Sequence, residues 1–242
     1  MKATAAEQLS LLEVQRIDHQ LATLANREIN LPEIVALKDA TIKRNTARDL
    51  KIAAETELSD VSRELSRAEG DVEQIVTRIQ RDEKRLAAGE GSAKDLEHMQ
   101  HELGTLAIRR SELEEAELEV MMRVDALKVR ISELQGEEDQ YLAEIATLDA
   151  AMTIALSAIA VERAKLSADR EIALGKIGSE LASLYSKIAS DNFGNGAAAL
   201  VGNECKGCNL PLNTVEVQRI NALPVEEVVR CEQCRCILVR AH

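Results

Sequence analysis

The sequence predicts a mainly α protein, a long antiparallel coiled-coil helical hairpin followed by a small C-terminal β-rich segment. Three observations predict it. Apolar residues recur at alternating three- and four-residue steps through most of the 242-residue chain, the spacing of a coiled-coil seam. Large core-filling side chains are nearly absent, with one Phe, two Tyr and no Trp, which leaves little to fill a broad globular core. Two Cys-x-x-Cys pairs lie close together near the C-terminus, Cys205/Cys208 and Cys231/Cys234.

The helices follow in order. Val14, Ile17, Leu21 and Leu24 make a short seam, predicting a first helix over about 5–28. Asn30-Leu31-Pro32 then breaks it near 29–32, because proline removes a backbone donor and clashes with the preceding turn. A second helix is expected over about 33–87, with its seam at Leu58, Val61, Leu65, Ala68, Val72, Ile75, Ile79 and Leu86 and polar Asp82 as the exception. Ala88-Gly89-Glu90-Gly91-Ser92 follows, two glycines and a Ser92/Asp95 capping pair, which marks a turn at about 88–92. A short linker between long helices favours antiparallel neighbours. The competing arrangement is one continuous helix in a parallel oligomer.

From Leu96 to Leu166 the seam keeps one phase for about ten heptads, interrupted only by Arg110, Glu117, Glu138 and Glu162. Those four either fix register against the other arm or sit in a loose, partly wet seam, and the second reading is preferred. A fresh seam, Ile177, Leu181, Leu184 and Ile188, starts out of phase, so a helix break is expected near 175–178 between Gly175 and Gly178. The expected domains are 1–190 for the hairpin and 191–242 for the C-terminal segment. In the latter, 197–201, 225–230 and 237–240 have strand-like composition, with an extra turn around 214–220.

The formal net charge is −12. Residues 200–242 hold equal numbers of acidic and basic side chains, so the excess lies in the helices. An acidic rod does not by itself attract nucleic acid or anionic lipid. The first fifteen residues lack the apolar core of a signal peptide, and no run approaches a membrane span. The expectation is a cytoplasmic protein with no membrane association. In that reducing compartment paired Cys-x-x-Cys motifs point to metal more than to disulfides.

Cys205, Cys208, Cys231 and Cys234 are therefore expected to hold one structural Zn²⁺ per chain, two tight turns each presenting two thiolates to complete a tetrahedral shell. A redox dithiol pair is the competing reading. The fifth cysteine, Cys236, could compete as a ligand or be a reactive thiol, but the preferred reading is a small apolar residue on the following strand. His98 and His101 fall on the solvent side of their helix, and His19 and His242 show no partner in the sequence. Gly175-Lys176-Ile177-Gly178 matches a nucleic-acid GxxG loop only in four letters and reads as a helix break. No phosphate loop, nucleophile elbow or acid–base pair is present, so neither an enzyme nor a small-molecule substrate is expected.

Cys231-Glu232-Gln233-Cys234-Arg235-Cys236-Ile237-Leu238, with Cys205-Lys206-Gly207-Cys208 and Leu210-Pro211 before it, resembles a family of bacterial coiled-coil proteins with a C-terminal C4-type zinc ribbon. Leu184-Tyr185 and Gly194-Asn195-Gly196 resemble that family's approach to its ribbon. The family's pattern continues the second pair with Gly-Arg-Ile-Leu, so Arg235 stands here for Gly and Cys236 for Arg. The resemblance implies an adaptor or chaperone in transcription, secretion or flagellar gene control, including sigma-factor binding, and nucleic-acid binding has been proposed for its members.

Two functions are thus expected. The first is a non-enzymatic adaptor engaging a protein partner. The second is a nucleic-acid-binding protein whose Lys206, Arg219, Arg230, Arg235 and Arg240 contact phosphates. The lack of aromatic stacking residues and the neutral charge of the segment weigh against the second.

Overall fold

The structure, a computed structural model, describes residues 1–240, so His242 lies outside the described residues. Four helices come first: α1 (Ala5–Ile29), α2 (Pro32–Ala87), α3 (Ala93–Leu174) and α4 (Ser179–Asp191). Strands β1 (Ala197–Val201), β2 (Glu204–Cys205) and β3 (Leu210–Pro211) follow, then α5 (Thr214–Ala222), β4 (Val229–Arg230) and β5 (Ile237–Arg240). The fold is the expected one, a long helical hairpin with a small strand-rich region at its C-terminal end.

Local chemistry sets the helix ends. Thr4 and Glu7 form a capping box on α1, satisfying two of the donors a helix start leaves unpaired. Ser92 and Asp95 do the same ahead of α3: the Ser92 amide donates to Asp95 Oδ2 at 2.9 Å and the Asp95 amide to Ser92 Oγ at 3.3 Å. Gly89 and Gly91 between α2 and α3 have φ of 65° and 130°, conformations open to glycine. Pro32 opens α2, where its missing N–H costs nothing. Gly175 to Gly178 separate α3 from α4.

The chain forms two compact units, Met1–Ile34 with Ala150–His242, and Val35–Asp149. In the second, α2 and α3 share a narrow seam. Val61, Val120 and Val124 are buried together, flanked by Leu58, Leu65 and Leu127. Ala40, Ala47 and Ala54 are also buried, at heptad spacing, so the seam of α2 begins well before Leu58. Glu138 corrects the preferred reading of the polar seam positions. It is buried and accepts from Lys51 Nζ at 2.6 Å, an ion pair between α2 and α3 and not a wet position. Arg110 instead pairs with Glu114 on its own helix and is exposed. Asp82 is buried among Arg78, Arg81 and Arg85.

In the first unit, Leu11, Val14 and Ile17 of α1 pack with Leu181, Tyr185 and Ile188 of α4 and with Ala197 and Ile237 of the sheet. This packing crosses the expected 190/191 boundary. The sheet order is β3-β2-β1-β5-β4. β1 and β5 are parallel, and the other pairs antiparallel. Only Val229–Arg230 of the expected strand 225–230 is a strand. Its first half is occupied by a turn, where the Glu227 amide donates to the Pro224 carbonyl at 3.0 Å. The expected turn at 214–220 is the helix α5, capped by Asn213.

One expectation about hydropathy is corrected. α3 contains a window of mean hydropathy 1.6, and by length and composition it could cross a membrane. Residues 150–161 carry no charge, and seam residues in this stretch explain part of that: Ile159 is buried against Leu24 and Leu31, with Met152 and Ala155 beside them.

Candidate metal centre

Two turns of like construction carry the four thiols. β1 and β2 form a hairpin around Gly202, whose φ is 63°, and this delivers Cys205 at the end of β2. The chain then turns back, with the Asn209 amide donating to the Cys205 carbonyl at 2.8 Å. The second turn leaves β4 at Cys231 and enters β5, with the Arg235 amide donating to the Cys231 carbonyl at 3.0 Å. In each turn the residue after the second cysteine is left-handed, Asn209 at φ 56° and Arg235 at φ 64°. Asn tolerates that region well, and Arg holds it at a cost of about 1 kcal/mol or more. Arg235 therefore takes up the backbone geometry for which glycine is the unstrained choice.

The parallel β1–β5 pairing brings the turns face to face. The four sulfurs lie within 4.8 Å of one another, with Cys205–Cys234 at 3.8 Å and Cys208–Cys231 at 3.9 Å. A tetrahedral shell with metal–sulfur bonds of about 2.3 Å has sulfur–sulfur edges of about 3.8 Å, so the cluster could hold a metal ion without rearrangement. Backbone amides also point at the sulfurs: that of Leu210 at Cys208, that of Cys236 at Cys234, and those of Gln233 and Cys234 at Cys231. The amide two residues after the second cysteine is thus directed at its sulfur in both turns.

Burial pushes the Cys231 thiol up to about 12, against the pull of its amide donors, and burial raises Cys208 too. At Cys234 burial acts upward, but the amide and thiol of Cys236 and the thiols of Cys231 and Cys208 outweigh it and bring the group below the ordinary thiol value. Metal binding requires cysteine ligands in the thiolate form, so a cation in the cluster would oppose the upward push on Cys208 and Cys231.

Cys236 is buried as expected, but it also touches the cluster, 3.1 Å from Cys234 Sγ and 3.6 Å from Cys205 Sγ. The basic residues do not form one face with free charges. Lys206 pairs with Glu204 at 2.8 Å and Arg219 with Glu216 at 2.5 Å. Arg240 donates to the carbonyls of Ile220, Leu223, Pro224, Val225 and Glu227, so its guanidinium clamps the loop after α5. Arg230 and Arg235 do come together, lining one depression with Gln233 and Asp191. His98 and His101 are exposed on α3.

The matched family model is that of the CT398-like coiled coil hairpin domain, over residues 14–192. The chain belongs to that family. The family model ends before the cysteines, but full-length relatives extend the likeness. Uncharacterized protein Rv2229c of Mycobacterium tuberculosis is 33% identical over 240 residues, 99% of this chain and 98% of that one. A solved structure from Mycobacterium smegmatis superposes with a TM-score of 0.84 at 32% identity, covering 100% of both chains. CT398 from Chlamydia trachomatis shares the fold, with a TM-score of 0.69 at 16% identity over 97% of this chain and 98% of its own.

The polar residues that join α1 to the neighbouring helices and to the segment leading into β1 were not legible as such. Gln15 donates to the Gly194 carbonyl at 2.7 Å and accepts from the amides of Gly196 and Ala197 at 2.7 and 2.9 Å. Gln8 donates to the carbonyls of Ala3 and Val225. Asp18 accepts from Arg170 at 2.5 Å and from the Tyr185 hydroxyl at 2.7 Å. His19, without a partner in the sequence reading, lies 3.0 Å from Asn195 Oδ1. The available signal was register: Gln8, Gln15 and Asp18 fall on the same face of α1 as Leu11.

Proposed function

We propose that this protein is a non-enzymatic, zinc-binding adaptor or chaperone that engages a protein partner, working in the cytoplasm in transcription or its regulation. The observation that carries the partner reading lies on α3. Leu118, Met121, Met122 and Val129 are exposed, Met122 at 72% and Val129 at 60%, along a helix otherwise rich in charge. Exposed apolar rows flanked by charge suit protein docking, and methionines adapt to varied surfaces. The chemistry of the thiols supports zinc. Four thiolates in tetrahedral reach favour it, and a closed shell keeps no position for substrate.

A second reading has one specific observation in its favour. Phe193, the chain's one phenylalanine, is fully exposed. It follows Asn192, which lines the depression shared by Arg230 and Arg235. An exposed ring next in sequence to a residue of an arginine-lined depression suits a single-stranded nucleic acid, and it offsets the expected lack of stacking residues. Asp191 and Glu232, beside the same arginines, oppose it.

Two measurements on the zinc-loaded full chain separate the readings. A photo-crosslinking side chain at position 122 should yield one discrete protein adduct in cells, lost in a Leu118→Glu variant. Fluorescence anisotropy with single-stranded RNA and duplex DNA at two salt concentrations should show no binding that depends on Arg230, Arg235 or Phe193. Salt-sensitive micromolar binding lost in those variants, with no adduct at 122, overturns the adaptor reading in favour of nucleic acid.

A further inference from the structure

We propose that Cys236 is a reserve ligand of the metal centre, able to take the coordination position of Cys234. This rests on reading the four-thiol cluster as a zinc site. The Cys236 sulfur lies 3.6 Å from Cys205 Sγ, close to the edge of about 3.8 Å of a tetrathiolate shell. It lies 3.1 Å from Cys234 Sγ, so the spare thiol adjoins the ligand it would replace. A rotamer change about χ1 carries a cysteine sulfur by about 3 Å, which spans that gap.

The room for this thiol is made by the other turn. A Cβ at Gly207 would stand 3.2 Å from the Cys236 sulfur and 2.9 Å from Ala198 Cβ. Glycine at 207 therefore leaves the slot in which the fifth sulfur lodges between the two turns. Exposure divides the pair into unlike roles. Cys234 is partly exposed, whereas Cys236 is fully buried. Of these two, a reagent from solvent meets Cys234 first and leaves Cys236 intact; Cys208 is partly exposed as well. In the exchange, Cys236 gives up its thiol proton as it ligates and the departing Cys234 thiolate takes one up. The metal keeps four thiolates and the centre keeps its net charge.

The test uses the full chain loaded with cobalt(II), whose thiolate charge-transfer absorption counts sulfur ligands. Wild type, Cys236→Ala and Cys234→Ala should all give four-thiolate spectra. The Cys234→Ala/Cys236→Ala double variant should lose about a quarter of the intensity, one thiolate in four. A second measurement avoids any folding defect of Cys234→Ala. Zinc-loaded wild type alkylated once by N-ethylmaleimide, in the fraction that peptide mapping shows to carry the adduct on Cys234 and not on Cys208, should retain its zinc in native mass spectrometry, and Cys236→Ala treated alike should release it. If Cys234→Ala matches the double variant, or binds no metal, and alkylated wild type loses zinc as readily as Cys236→Ala, the exchange is overturned while the zinc site stands. A wild type without a four-thiolate spectrum overturns both.

Discussion

In residues 35–149 the buried side chains come from two helices only, in a narrow file: alanines of α2 at every seventh residue, then Val61 with Val120 and Val124. Each group is local, and exposed ion pairs such as Arg123–Glu64 flank it. Residues 1–34 and 150–242 are built otherwise. There α1, α4 and the sheet share one cluster, buried Gln8 and Gln15 tie loops to it, and the half-buried Asp18–Arg170 pair with the Tyr185 hydroxyl ties α1, α3 and α4 together. A coiled-coil seam spreads its stability over many weak, near-additive contacts. A small strand-rich unit concentrates it in a few groups that have no substitute.

The largest expected effect is at Gly196. A Cβ there would stand 2.5 Å from Tyr185 Cε2 and 3.0 Å from the Tyr185 carbonyl, and that ring is fully buried. Gly196→Ala should cost about 3 kcal/mol in the first unit, at the upper end of overpacking penalties. Gln15→Ala, which leaves two amides and a carbonyl of the same loop without their partner, should cost about 2 kcal/mol. Hydrogen exchange should show both losses at 194–201 with 58–65 unchanged. Equal loosening of both segments would mean that the two units do not differ as described.

The second prediction works within the hairpin. Lys51→Met leaves the Glu138 carboxylate buried without its partner and should lower protection on both helices near the pair. Lys51→Met with Glu138→Leu should restore it. Arg123→Ala, which removes a pair exposed by half on both sides, should change little. If Lys51→Met is as mild as Arg123→Ala, the seam is wet at Glu138 and the ion pair does not set register.

These contrasts follow what the sequence could and could not express. Periodicity reports helices directly, because one face repeats every 3.5 residues, and α1 to α4 fall where the seams and breaks place them. Alanines 40, 47 and 54 escaped because a small side chain looks neutral until its partner helix is known. The clustering of the four cysteines was legible from spacing, since a Cys-x-x-Cys turn that presents two thiols needs few other residues. Contacts made by Cys236 were not, because they depend on Gly207 in the opposite turn. Strand β4 was overestimated because β-branched composition at 225–230 does not reveal that the N-terminal residues pair alongside it. The Val228 amide donates to the Met1 carbonyl at 3.1 Å, and Lys2 bridges to Glu227.

The smallest effect distinguishes the polar latches from the seam by pH. The Tyr185 hydroxyl donates to Asp18, and burial first, then that hydrogen bond, raises its pKa well above the usual phenol value. In the unfolded chain the phenol ionises near pH 10. Above about pH 10 the unfolded state therefore releases a proton that the folded state keeps, so fewer protons are bound unfolded than folded and stability falls as pH rises. Below that pH this group adds no slope. Denaturation of the first unit, followed between pH 8 and 11, should show a decline beginning near 10 that Tyr185→Phe abolishes. The substitution should cost about 1 kcal/mol at pH 8 for the lost hydrogen bond. Retention of the full alkaline decline in Tyr185→Phe would assign it to other groups and leave the Asp18 carboxylate held by Arg170 alone.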